Sequence, residues 1–278
     1  MISWFEAVVL GVVQGLTEFL PISSSAHILI VSQLFGWEDP GAAFTAVSQI
    51  GTEMAVILYF RKDIWRIITT WVKSLYTPDL RRHIDARMGW YVIIGTIPIA
   101  VMGLLFQDQI ETVARNLWLV SFTLIFFGII LGVADRVGKK TQELENLNVR
   151  DGVLFGIGQA FALIPGVSRS GATISMGLFL GYTREAATRY AFLLAIPAVM
   201  ASGLYETTKI GEGPSPEWGP TILATVIAFV IGYLVIAWLI KYISANSYMP
   251  FVIYRIVLGV VVLILCAAGV LDPTPATA

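Results

Sequence analysis

Two apolar stretches, each broken in the middle by proline and a run of hydroxyl residues, constrain this chain more than any other feature. The first is Phe5–Leu34, interrupted at Pro21-Ile22-Ser23-Ser24-Ser25. The second is Gly152–Leu180, interrupted from Pro165 through Gly166, Val167, Ser168, Arg169 and Ser170. Neither half of either stretch is long enough to cross a bilayer, which needs about 20 apolar residues in a helix. Irregular backbone at membrane depth is tolerated only where it is buried in protein or lines a cavity. The expectation is therefore two re-entrant helix pairs, whose tips carry a guanidinium and several hydroxyls into an otherwise apolar protein.

Composition places the rest. Hydrophobic residues make up 56% of the chain and charged residues 13%, against about 25% charged in a soluble domain. Mean hydropathy is +0.77. Six segments read as full spans: Ala42–Phe60, Gly89–Phe106, Leu117–Ala134, Ala186–Tyr205, Pro220–Ile240 and Phe251–Leu271. The fold class expected is an all-α polytopic membrane protein, with six transmembrane helices plus the two re-entrant pairs in a single domain over residues 1–278. The polar stretch Arg61–Gly89 reads as a loop. Net charge of -1 offers no reason to expect a nucleic-acid partner. The single cysteine, Cys266, excludes an intrachain disulfide. No basic n-region precedes the first apolar stretch, so no cleavable signal peptide is expected.

The two interrupted stretches resemble each other. Gly11-Val-Val-Gln14 matches Gly156-Ile-Gly-Gln159, Leu20-Pro21 matches Ile164-Pro165, and Ile22-Ser23-Ser24-Ser25 matches Val167-Ser168-Arg169-Ser170, with two one-residue gaps. Each is followed by three spans, so the chain reads as a duplication: residues 1–135 and residues 150–272. Three is odd, so the second copy is expected upside down, with the binding site where the broken helices meet. Basic residues agree with that topology. Arg61, Lys62, Arg66, Lys73, Arg81, Arg82 and Arg87 follow the first span, and Arg136, Lys139, Lys140 and Arg150 follow the third. The other side holds only Arg115 and Lys209, among acids such as Asp108, Glu111, Glu212 and Glu217. The positive-inside rule makes the basic side cytoplasmic, with both termini outside.

The chemistry follows from what the two tips would bring together. Gln14 and Glu18 stand four residues apart, on one helix face, and His27 lies three residues after Ser24. A carboxylate with an amide neighbour can hold Mg²⁺ or Ca²⁺ that keeps some waters and binds phosphate oxygens. Arg169, at a helix start behind Ser168, is suited to clamp phosphate, because its planar fork binds two oxygens and stays charged. A hydroxyl beside a carboxylate or imidazole is a candidate nucleophile. Glu53, inside the first span, reads as structural or at the pocket edge. Gly11/Gly15, Gly152/Gly156 and Gly177/Gly181 read as close-packing surfaces.

These residues also carry a resemblance. Gln14-Gly-Leu-Thr-Glu18-Phe-Leu-Pro-Ile-Ser-Ser-Ser-Ala-His27 and Pro165-Gly-Val-Ser-Arg-Ser-Gly-Ala-Thr173 closely resemble the signature stretches of the bacterial undecaprenyl-pyrophosphate phosphatases, also called bacitracin-resistance proteins. Gln49-Ile-Gly-Thr and Pro250-Phe-x-x-Tyr254-Arg255 add to the match. The resemblance implies hydrolysis of a C55 polyprenyl pyrophosphate to the monophosphate, recycling the carrier lipid for peptidoglycan synthesis at the outer face of the cytoplasmic membrane. It further implies a divalent cation, Mg or Ca, and a homodimer. By motif position Glu18 would be the key carboxylate, Ser24 the nucleophile, and His27 an acid/base or alternative nucleophile. Arg169 would bind pyrophosphate, with Gln14, Ser23, Gly166, Ser168, Ser170 and Thr173 completing the substrate set; Glu18 and Gln14 would hold the metal. Position 14 is Gln where many members have Glu, which leaves acid/base or metal work to Glu18 or to water. The competing reading is a carrier or flippase for a lipid phosphate or other anion, since inverted repeats with broken helices also build transporters.

Overall fold

A computed structural model describes residues 2–106, 116–208 and 217–274. Asp108, Glu111, Arg115, Lys209 and Glu212 lie outside the described residues. In chain order the α-helices are α1 (Trp4–Thr17), α2 (Ser24–Leu34), α3 (Gly41–Tyr59), α4 (Arg61–Ser74), α5 (Ile84–Leu105), α6 (Leu117–Val137), α7 (Val149–Ala160), α8 (Arg169–Phe179), α9 (Arg184–Thr208), α10 (Trp218–Ile243) and α11 (Met249–Ala267). Five of them are long and apolar enough to span a membrane, and six if the bent pair α3–α4 counts as one. The protein is all-α and polytopic. Many large apolar side chains on the long helices face outward, among them Phe122, Ile129, Leu234 and Val257, as expected where lipid is the solvent.

Both interrupted stretches break where the sequence says they should. α1 ends at Thr17 and α2 starts at Ser24; α7 ends at Ala160, passes into a 3-10 turn over Phe161–Leu163, and α8 starts at Arg169. Glycine sets how closely the first halves pack. α1 lies on α10, where a Cβ on Gly11 would come within 2.7 Å of the Ala224 carbonyl oxygen. α7 lies on α5, where a Cβ on Gly156 would come within 2.2 Å of the Gly95 carbonyl oxygen. Small residues allow such approaches, and van der Waals contact then holds the helices without a hydrophobic drive. Gly181 departs from expectation. It turns the chain at φ 92° between α8 and α9, and its carbonyl accepts the Thr141 and Gln142 N–H groups at 2.9 Å.

The stretch after the first span also differs from expectation. It is not a loop but α4, bent by 78° from α3 and followed by a short 3-10 turn before α5. Ile64, Ile67 and Trp71 recur at helical spacing, and Trp71 packs edge-on to Trp90 and over Gly89 of α5. Amphipathic periodicity outweighs the density of charge here. Ion pairs tie the same end of the bundle together. Arg66 donates to Asp85 at 2.9 Å, Arg189 reaches Asp63 at 3.3 Å, and Arg184 reaches Asp135 at 2.6 Å, while Asp135 also accepts from the Tyr248 backbone N–H at 3.0 Å.

Candidate active site

The two broken turns meet. Glu18, just past the end of α1, is buried and its two oxygens are divided between the two halves of the chain. Oε2 accepts from Ser24 Oγ at 2.6 Å and from Gln14 Nε2 at 2.9 Å, and Oε1 pairs with Arg169 Nη2. Ser24 and Arg169 are the first helical residues of α2 and α8 respectively. A second carboxylate, Glu53 of α3, stands 3.5 Å from the same Arg169 nitrogen; it is 1% exposed, and neither of its oxygens has a hydrogen-bond partner. A half-buried guanidinium between two buried carboxylates is a costly arrangement unless a ligand uses it.

Hydroxyls lock the turns to one another. Ser170 Oγ donates to the Leu20 carbonyl at 3.1 Å, and Ser168 Oγ lies 3.0 Å from Ser170 Oγ while accepting the Gly171 N–H as the N-cap of α8. Thr173 Oγ1 bonds back to the Arg169 carbonyl at 2.8 Å. The second turn closes through Gly166 at φ 82°, where a Cβ would collide with Thr123 Oγ1 and the Val120 carbonyl. In the first turn the positive φ falls on Ser23, at φ 73° and ψ 99°, a conformation that costs a non-glycine residue about 1–3 kcal/mol.

A cavity of about 600 Å³ opens onto this cluster. Its polar wall holds Glu18, Ser23, Ser24, Ser25, Gln49, Ser168 and Arg169; its apolar wall is drawn from α5 and α9, including Ile99, Leu104, Val199 and Tyr205. Of the residues expected at the site, Glu18, Ser23, Ser24, Ser168 and Arg169 line it. Gln14, His27, Gly166, Ser170 and Thr173 stand behind the wall and support it. His27 is the most informative of these. Its Nδ1 bonds the Ser23 carbonyl at 2.7 Å and its Nε2 the Tyr254 hydroxyl at 2.8 Å, with the two rings stacked. A carbonyl only accepts, so Nδ1 carries the proton, and in the neutral ring Nε2 accepts from the Tyr254 hydroxyl. Gln49 escaped the sequence reading except as part of a supporting stretch, and an amide in a long span was its only signal.

A polar cluster of this kind against an apolar wall suits an amphiphile with an anionic head, and the comparisons agree. The family model described as bacitracin resistance protein BacA matches residues 7–261. The chain belongs to that family. Similar relatives are named undecaprenyl-diphosphatase. One, from Nocardioides sp., is 58% identical over 272 residues, covering 98% of this chain and 99% of its own. Another, from Thermobifida fusca, is 60% identical over 271 residues, covering 98% and 93%. A third, from Renibacterium salmoninarum, is 60% identical over 277 residues, covering 98% and 99%.

Proposed function

We infer that this chain is a membrane-embedded undecaprenyl-diphosphatase, which hydrolyses undecaprenyl pyrophosphate to undecaprenyl phosphate and inorganic phosphate. The observation that carries the reading is the chain Ser24–Glu18–Arg169 at the polar wall of a cavity whose other wall is apolar. The pyrophosphate enters the polar end and the first isoprenyl units lie against α5 and α9. Membership of the family supports the activity, and the geometry supplies a mechanism for it.

Ser24 is the nucleophile in this reading. Its Oγ–H already points at Glu18, so the proton passes to the carboxylate as Oγ bonds to the terminal phosphorus. The bridging P–O bond breaks, undecaprenyl phosphate leaves with the electron pair, and a phosphoserine remains. Water then attacks that phosphorus, giving its proton to Glu18 once the carboxylate has released the first one to solvent; as the P–Oγ bond breaks, Glu18 passes that proton to Ser24 Oγ and inorganic phosphate departs. Arg169 stabilises the charge on the transferring phosphoryl oxygens. The carboxylates engage only Nη2, so the rest of its fork is available to substrate. His27, with both nitrogens occupied, supports the turn that presents Ser24.

A divalent cation, magnesium or calcium, fits the donors present. Gln14 Oε1 and both Glu53 oxygens are buried without hydrogen-bond partners, beside Glu18. Among the described residues no three His, Cys, Asp or Glu side chains group to hold a metal ion; an ion here would complete its coordination with waters and phosphate oxygens. Glu18 and Gln14 would hold it, and it would neutralise charge on the pyrophosphate. The positive-inside pattern supports a site that opens to the outer face with both termini outside, and the internal similarity supports two inverted repeats. The family resemblance supports a homodimer, to be checked by size in detergent and by cross-linking in the membrane.

The test is phosphate release from undecaprenyl pyrophosphate by purified protein in detergent. Ser24→Ala and Arg169→Ala are each expected to lower kcat by about 10³-fold, with EDTA abolishing and Mg²⁺ restoring turnover. Brief quenching in acid should trap phosphate on wild-type protein and none on Ser24→Ala. Full turnover by Ser24→Ala would pass the nucleophile's role to another group.

A further inference from the structure

Two consecutive residues of the last helix hold the site together from outside it. Arg255 is fully buried, and its guanidinium donates to three backbone carbonyls: Nε to Leu124 of α6 at 3.0 Å, Nη1 to Pro21 of the first broken turn at 3.1 Å, and Nη2 to Gly166 of the second at 3.3 Å. The broken helices leave the Pro21 and Gly166 carbonyls without helical partners, and five donors on a rigid plane suit arginine to collect them. Its neighbour Tyr254 donates to His27 Nε2, and His27 Nδ1 donates in turn to the carbonyl of Ser23, whose backbone is left-handed. No carboxylate among the described residues pairs with Arg255.

We propose that Arg255 and Tyr254 are positioning residues that clamp the two broken turns, Arg255 fixing the spacing of the Pro21 and Gly166 carbonyls and Tyr254, through His27, fixing the turn that aims Ser24. The proposal rests on the reading above, in which Ser24, Glu18 and Arg169 face the pyrophosphate. Ser24 and Glu18 belong to one turn and Arg169 to the other, so the reacting geometry exists only while the spacing holds. Neither clamp residue lines the cavity. Binding through the apolar wall and through Arg169 should survive a loosened clamp, whereas in-line attack should not. Displacement of reacting groups by about 1 Å costs rates of order 10²-fold.

The experiment compares wild type, Arg255→Lys, Tyr254→Phe and Glu18→Gln as purified, monodisperse protein in detergent. It measures kcat and KM for undecaprenyl pyrophosphate well below each melting temperature, and the melting temperature itself. Lysine places one ammonium where three directed donors stood. Arg255→Lys is expected to lower kcat about 30-fold or more per folded molecule, with KM within about threefold of wild type. Tyr254→Phe removes a single hydroxyl and keeps the stacked ring; a fall in kcat of about fivefold, again at constant KM, is expected. A lowered melting temperature with wild-type kcat in both variants would make the pair merely structural and overturn the proposal. Should Arg255→Lys fail to fold, Tyr254→Phe decides alone: wild-type kcat refutes the clamp. Glu18→Gln separates the two readings, because wild-type turnover there would sink the site assignment and not the clamp.

Discussion

The two broken turns answer the same structural problem in different ways. Each runs from a proline to the first residue of a new helix, from Pro21 to Ser24 and from Pro165 to Arg169. The second has one residue more, Gly166, and this glycine takes the positive φ; Ser168 then keeps an ordinary extended backbone and caps α8 through the Gly171 N–H. The first lacks the extra residue, so the positive φ falls on Ser23, whose side chain caps nothing. Strain is concentrated in the turn that supplies the serine and the carboxylate, while the relaxed turn supplies the cation. Ser24 and Arg169 occupy equivalent helix-start positions, yet one is suited to attack and the other to hold charge, and both converge on Glu18. Three residues before the proline, where the first turn has Glu18, the second has Ala162. The two similar stretches supply two frames, and the proposed chemistry is divided between them.

The largest effect on that division is expected from Glu18→Gln. The amide keeps the shape but cannot take the Ser24 proton, so kcat should fall about 10³- to 10⁴-fold. Arg169 retains Glu53 at 3.5 Å, so the fold should persist, as judged by an unshifted elution volume and a melting temperature within a few degrees. If turnover survived and only the melting temperature fell, Glu18 would be a structural counter-ion, and the two turns would be alike in holding charge and nothing more.

Much of this site is legible from the sequence because polar groups in an apolar chain announce themselves. Arg169, Glu18 and the two Pro-hydroxyl breaks are conspicuous against lipid-compatible surroundings, and the i, i+4 spacing puts Gln14 and Glu18 on one helix face, where they bond at 2.9 Å. Arg255 is equally conspicuous, yet its partners are carbonyls 131, 234 and 89 residues away, and backbone acceptors leave no trace in a sequence. His27 shares a face with Ser24 by spacing, but the ring turns to Tyr254, 227 residues distant. The helix α4 is hidden for the opposite reason. Its charges read as loop and mask the helical spacing of Ile64, Ile67 and Trp71, whose face the contact of Trp71 with Gly89 and Trp90 shows to be the packed one.

A smaller effect, read first on stability, is expected from Gly166→Ala. The added Cβ would lie 2.3 Å from Thr123 Oγ1 and 2.7 Å from the Val120 carbonyl oxygen, on a backbone at φ 82°. Overpacking and a left-handed alanine together should cost about 2–4 kcal/mol, read as a lower melting temperature and faster proteolysis at the second turn. Wild-type stability would mean that this turn has slack, and the contrast with the first turn would lose its basis.

The smallest and most discriminating change is Ser23→Gly. Glycine adopts the observed φ and ψ freely, so relief of strain should stabilise the protein by about 1 kcal/mol after the extra freedom of the unfolded chain is counted. The Ser23 carbonyl still accepts from His27, which keeps the turn in place, but the backbone between Pro21 and Ser24 becomes softer. A protein that melts higher yet turns over several-fold more slowly would show that the strain at Ser23 holds Ser24 on line. A protein that melts higher with full kcat would show the strain to be incidental, left by the missing residue. Placing glycine there would then make the first turn energetically like the second, with Glu18 and Ser24 alone accounting for the difference in their chemistry.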